Sequence, residues 1–180
     1  MNKIQVQSMA INPIFNDKQI VMLVQKTPAQ HIHARKGRGG QTFKYATTSY
    51  VQKVLNEAFG WAWSFQVVSK ELIGNQVVVQ GRLTVINKET LQPMIIKEQF
   101  GGAEVKYLKG TDIPVDLADD FKAAASDALK KAASLLGVSA DLYADPQTAS
   151  EITSRAEKVK AVILARHQKE QDDNNQSTET

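Results

Sequence analysis

Three strand-like runs set apart by turn signals limit the folds open to this chain. Trp61–Lys70 repeats with period two, the spacing that places successive side chains on opposite faces of a strand, and Gln76–Asn87 and Met94–Phe100 read as the strands that follow it. Gly74-Asn75 separates the first two runs, and Asn87–Pro93 separates the second from the third. Connections this short join antiparallel neighbours, because a parallel crossover needs a dozen or more residues. The runs therefore predict a three-stranded antiparallel meander. Trp61, Trp63, Phe65 and Val67 fall on one face by this period, and Trp61 and Trp63 are expected in the core. Val77, Val79, Leu83 and Val85 supply the inward face of the second strand. Gly101, Gly102 and Gly110 are expected to make the segment after the third strand a mobile loop.

Helical spacing occupies the rest. Asn16 or Asp17 is a candidate cap for a short helix to about Lys26, stopped by Pro28. Gln30–Lys36 and Gln41–Ala46 read as the arms of a hairpin around Gly37-Arg38-Gly39-Gly40. Thr47, Thr48 or Ser49 opens a second helix with Val51, Val54, Leu55, Ala58 and Phe59 on its buried face, closed by Gly60. Asp112 and Pro114 open a long helix to Leu136, and Pro146–Gln168 reads as a last helix. Its predecessor carries Asp116, Asp119 and Asp120 near its start and Lys130 and Lys131 near its end, both favourable to the helix dipole. The expected fold is α+β: a hairpin, a helix and a meander packed with a long helix.

At 180 residues the chain suits one domain with extensions. Residues 1–16 read as an irregular N-terminal segment, 146–170 as a C-terminal helix and 171–180 as a disordered acidic tail. The net charge of +3 conceals an uneven distribution. No acidic residue stands between Asp17 and Glu57, a stretch holding Lys18, Lys26, Arg35, Lys36, Arg38, Lys44 and Lys53. Setting aside Asp172, Asp173 and Glu179 of the tail raises the net charge to +6. No run has the length of a membrane span, and Met1–Ala10 lacks the layout of a signal peptide. The absence of cysteine excludes disulfides, thiolate catalysis and cysteine-bound zinc, and fits a cytoplasmic setting.

Few catalytic devices fit these residues. No nucleophile elbow is present, and Lys36-Gly37-Arg38-Gly39-Gly40 lacks both the spacing and the setting of a phosphate-binding P-loop. Asp112, Asp116, Asp119 and Asp120 suggest an alternative, a metal-dependent nuclease, although two-metal sites draw carboxylates from several elements. His31 and His33, two apart on an expected strand, have the spacing of a metal pair, with no third ligand nearby in sequence. Phosphate binding fits the basic hairpin better. Arg35, Lys36, Arg38 and Lys44 supply charge, and glycine lets backbone N–H groups approach. Phe43 and Tyr45 alternate with Lys44, the interleaving of rings and charges that suits a single strand. One or both of those rings has the alternative of a place in the core. A non-catalytic protein-interaction module is a further alternative.

Two sets of motifs carry a family resemblance. Ile32-His33-Ala34-Arg35-Lys36-Gly37-Arg38-Gly39-Gly40-Gln41, then Tyr45, then Val54-Leu55-Asn56-Glu57-Ala58-Phe59-Gly60-Trp61, resembles the start of the annealing domain of the Rad fifty-two family. Ser126-Asp127-Ala128-Leu129-Lys130-Lys131-Ala132 through Gly137 resembles the family's Thr/Ser-Asp-Gly-Leu-Lys-Arg-Ala helix. The resemblance covers residues 17–145, and the small size is similar to phage members, which would place the protein in a bacterial host's cytoplasm. It implies a single-strand annealing domain without nucleotide hydrolysis or cofactor, assembled as a homo-oligomeric ring with an outer basic groove for single-stranded DNA, acting in recombination and repair. By position it implies Arg35, Tyr45, Lys130 and Lys131 in that groove, and Lys106 or Lys109 in a second DNA site. A single-strand-binding protein or an exonuclease is the implied further partner. Ser134 departs from the pattern, standing where members often carry another base; the alternatives are a lower groove affinity or compensation by Arg38 or Lys44. The long recombinase-binding tail of eukaryotic members has no counterpart in these 180 residues, so mediator activity is not expected.

Overall fold

The computed structural model describes residues 14–37 and 39–177. Most of the expected irregular 1–16 segment, Arg38 and the last three residues of the tail lie outside the described residues. Helix α1 (Asp17–Val24) begins with a reciprocal cap: Asn16 Oδ1 accepts the Gln19 N–H, and the Gln19 side chain accepts the Asn16 N–H, both at 2.9 Å. A short 3₁₀ turn, Ala29–His31, precedes strand β1 (Ile32–Lys36), which pairs antiparallel with β2 (Thr42–Ala46). Helix α2 (Thr48–Phe59) is capped by Thr47 and buries Val51, Val54, Leu55, Ala58 and Phe59, as its spacing predicts.

Strands β3 (Trp63–Ile73), β4 (Gln76–Ile86) and β5 (Pro93–Glu104) form the antiparallel meander, with β4 central. Val77, Val79, Leu83 and Val85 are buried on one face of β4. The order of elements is the α+β arrangement expected, with four helices and two separate sheets among the described residues.

Several expectations need correction. Trp61 is 78% exposed, not core. Gly60 ends α2 in the left-handed region, and Trp61 follows it at φ 68°, so this residue lies on a reversal before the strand begins. Trp63 is half-buried, its indole N–H donating to Asn56 Oδ1 at 2.7 Å. Val67 pairs with Gly81 and so keeps the face of Trp63 and Phe65, as period two predicts; it is 44% exposed there, and the bulge lies just beyond it, between Val67 and Ser69. Gly101 and Gly102 belong to β5 and not to a loop. A Cβ at Gly101 would overlap the Ala124 carbonyl and the Ala128 amide, so glycine here admits helix α3 (Leu117–Ser134) against the sheet.

Helix α3 starts later than Asp112 and Pro114, because Pro114 forms an antiparallel bridge with Tyr107 and Asp116 is the cap. One core cluster joins α1, α2, the second half of α3 and the Leu83–Val85 end of β4. A second lies between Val77, Val79 and Val105 and the Ala124–Ala128 turn of α3. Buried Thr27 donates its hydroxyl to Asp141 at 2.7 Å, tying the segment before β1 to the turn after α3. Helix α4 (Pro146–Ser177) continues beyond the Gln168 expected, through the polar run from Lys169 to Ser177. Ala156 and Ile163 are buried, and Arg166 pairs with Asp17 at 2.8 Å, seating α4 on α1.

Candidate nucleic-acid interface

The hairpin β1–β2, helix α3 and the end of β5 enclose a groove of about 770 Å³. Strand pairing sets its first wall. His33 lies opposite Tyr45 and Arg35 opposite Phe43, so these four side chains share one face of the hairpin. Phe43 is 50% exposed and Tyr45 half-buried; neither ring sits in the core. Lys44 belongs to the alternate face yet also lines the groove.

Helix α3 supplies the opposing wall. Lys130 Nζ stands 4.9 Å from the centre of the Tyr45 ring, a cation–π contact that joins α3 to β2. Partial burial pushes the Lys130 amine below the ordinary lysine range. Asp127 pushes it back up, while Arg35 and Lys131 add to the depression. Lys131 forms an ion pair with Asp127 at 2.9 Å, and the same carboxylate accepts the Gly102 N–H at 3.2 Å. Farther along, Lys106 Nζ lies 3.5 Å from Asp119 and 3.6 Å from Asp120. Tyr143 contributes to the floor. Burial, reinforced by Asp127 and partly offset by the Ala46 backbone, pushes its hydroxyl up to about 12, so it stays protonated at any ordinary pH.

Comparison with known families agrees with the motifs. The Rad52/22 family of double-strand break repair proteins matches residues 17–161. The chain belongs to the Rad52/22 family. No individual curated protein matches it significantly. The Rad52/22 match opens at the first residue of α1, spans the hairpin, meander and α3, and runs past residue 145 into α4.

Within this Rad52/22 chain, Arg35, Lys44, Tyr45, Lys130 and Lys131 line one groove. Lys106, expected in a second site, lines the same groove. Lys36 is exposed at the end of β1 opposite Thr42, outside that lining. Lys109 is exposed on the turn around Gly110, also outside it. Arg38 lies outside the described residues.

The other candidate sites separate. His31 is in the 3₁₀ turn, stacked on Tyr50 at 4.5 Å, whereas His33 is on β1 facing Tyr45 at 5.9 Å. Asp112 is exposed, and Asp116 caps α3 by accepting the Asp119 N–H at 3.0 Å. Lys122, in hydrogen-bond contact, holds the half-exposed Asp119 carboxyl below its usual range, with help from Lys106. Asp120 is 1% exposed and accepts the Lys106 N–H at 3.2 Å. Among the described residues no group of three or more His, Asp and Glu gathers as a metal site. None of the described helices is long and apolar enough to cross a membrane.

Sequence reasoning did not single out Asp127 or Tyr143. The four-residue spacing from Asp127 to Lys131 is a readable signal for a helical ion pair. Tyr143 carries no such signal, because its position depends on the turn after α3.

Proposed function

We propose that this protein binds single-stranded DNA along the hairpin–α3 groove and anneals complementary strands without ATP, as a homo-oligomer. The observation that carries this reading is the convergence of Arg35 and Tyr45 with Lys130 and Lys131, from distant parts of the sequence, on one groove. Arg35, Lys130 and Lys131 neutralise phosphates, and the guanidinium of Arg35 offers two parallel donors to one of them. Phe43, half exposed at the rim, offers a face for a base or sugar, while Tyr45 serves Lys130. Lys106 extends the basic path, so the proposal has one continuous site. Binding and presenting a strand breaks no bond, and none of the named roles requires a nucleophile or a cofactor. This use is consistent with membership of a double-strand break repair family.

Self-association is part of the proposal. Ile96 and Phe100 are 52% and 56% exposed on the sheet face turned away from α3, opposite Thr84 and Gln80 of β4. Exposed apolar residues gathered on a sheet face favour contact with another protein surface.

The test mixes two complementary labelled strands with protein in the absence of ATP and divalent metal. Wild type is expected to speed duplex formation, and a Lys130→Ala/Lys131→Ala double variant is expected to lose most of that acceleration. A double variant that anneals at the wild-type rate would remove the groove from the proposal. Strand cleavage on adding magnesium would favour a nuclease instead.

A further inference from the structure

The groove is not uniformly basic. Asp120 and Asp127 project from α3 seven residues apart, two turns along one face. Each accepts a backbone N–H from β5 or the residues just beyond it: Asp127 from Gly102, Asp120 from Lys106. Each also approaches a lysine of the groove, Lys131 at 2.9 Å and Lys106 at 3.6 Å. The carboxylates thus join two tasks, fastening α3 to the edge of the sheet and partly neutralising the surface beside it.

We propose that Asp127 is a positioning residue that acts through Lys131 as a fixed countercharge, so that the groove holds a single strand loosely. This inference rests on the functional reading above. Asp127 is 19% exposed at its side chain and is tethered by the Gly102 N–H. It therefore cannot swing away as a surface carboxylate would. A phosphate arriving at Lys131 meets an ammonium whose charge is already balanced, and it meets the carboxylate as well. The ammonium has three donors and can hold both oxygens, but the phosphate gains less than it would from a free lysine. The balance also limits counterion release. A phosphate at an unpaired lysine sheds its condensed cation, whereas the paired carboxylate and phosphate together still require one. A protein that must surrender its strand to a duplex benefits from such a restraint.

The test compares wild type with Asp127→Asn for binding of a labelled oligothymidylate, a strand without secondary structure, over a series of salt concentrations. Asparagine keeps an acceptor for the Gly102 N–H and removes the charge, so thermal unfolding should change little. Asp127→Asn is expected to bind roughly threefold more tightly at low salt. Its slope of log affinity against log salt should steepen by about 0.7, the contribution of one regained phosphate contact. A folded Asp127→Asn that binds equally or more weakly, with an unchanged slope, overturns the inference. Should Asp127→Asn fail to fold, Lys131→Gln and Lys130→Gln provide the comparison. Lys131→Gln should flatten the slope clearly less than Lys130→Gln does; equal flattening overturns the inference. Wild type that fails to bind the oligothymidylate at low salt refutes the proposed function itself, a result distinct from both.

Discussion

Lys130 stands between an aromatic ring and three charged neighbours, and its protonation follows from that setting. Burial disfavours the charged amine, Asp127 favours it, and Arg35 and Lys131 oppose it, with a net fall below the ordinary lysine range. A lysine with a lowered folded pKa is released from an unfavourable charge as pH rises. Its contribution to folding stability therefore increases with pH through the lowered folded value and levels off at the unfolded one. Strand binding runs the other way, because the phosphate needs the charged form. Affinity for a single strand should accordingly begin to fall at a lower alkaline pH than an ordinary lysine would give. Lys130→Arg keeps its charge throughout and should remove that early fall, which a pH series of strand titrations reads directly. Matching pH profiles for the two proteins would show that Lys130 does not meet the strand. The acid-free hairpin was legible in the sequence by charge alone, whereas Lys130-Lys131 read alone as a helix end and gained its place only from the motif resemblance. The spacing from Asp127 to Lys131 was readable too, but the bond Asp127 accepts from the Gly102 N–H on β5 is a long-range contact that no local pattern shows.

At the level of elements, the seating of α3 on β5 determines where both lysines point. Gly101 allows that approach, since a Cβ there would meet the helix backbone at Ala124 and Ala128. Gly101→Ala should displace α3 and cost about 1–3 kcal/mol, by analogy with overpacking elsewhere. That loss corresponds to a fall in the unfolding midpoint of roughly 2–4 °C per kcal/mol for a chain of this size. Strand affinity should decline with it, because α3 carries half of the groove. Gly102→Ala provides the control: its Cβ would meet only the Val77 carbonyl, at an ordinary 3.6 Å. Calorimetry of the two variants tests this, and an equal effect from both would reject the close-packing account. The same glycines explain why the sequence was misread there. Adjacent glycines signal a loop by backbone freedom, and nothing in a single strand's pattern reveals a helix pressing on it. Period two likewise identified β4 cleanly and holds from Trp63 to Val67, but failed at Trp61, where a left-handed residue precedes the strand.

For the whole molecule, the two core clusters bring the hairpin near α3, and this convergence cannot be read from local pattern. Periodicity supplies the elements; the Thr27–Asp141 tie and the Lys130–Tyr45 contact depend on chain segments meeting over long separations. The motif resemblance was the one sequence feature that joined the hairpin's Arg35 and Tyr45 to Lys130 and Lys131 of α3. Assembly is the remaining step at this scale. The face of the meander turned from α3 exposes Ile96 and Phe100, with the Arg82–Glu98 pair between them at 2.6 Å. Each side chain is already about half buried, so covering the remainder against a second copy contributes about 1 kcal/mol for each, enough for their joint loss to shift an assembly equilibrium. Because both are already exposed and lie away from the two core clusters, Ile96→Glu/Phe100→Glu should leave the fold and its unfolding midpoint nearly unchanged. Light scattering coupled to size exclusion should then report a multimer for wild type and a smaller species for the variant. If the groove of each copy contributes to one continuous path, the smaller species should also hold long single strands much more weakly while binding short ones nearly as well, since linked sites gain through effective concentration. A variant that keeps the wild-type mass would move the assembly surface elsewhere, and a monomeric wild type would leave each groove to act alone.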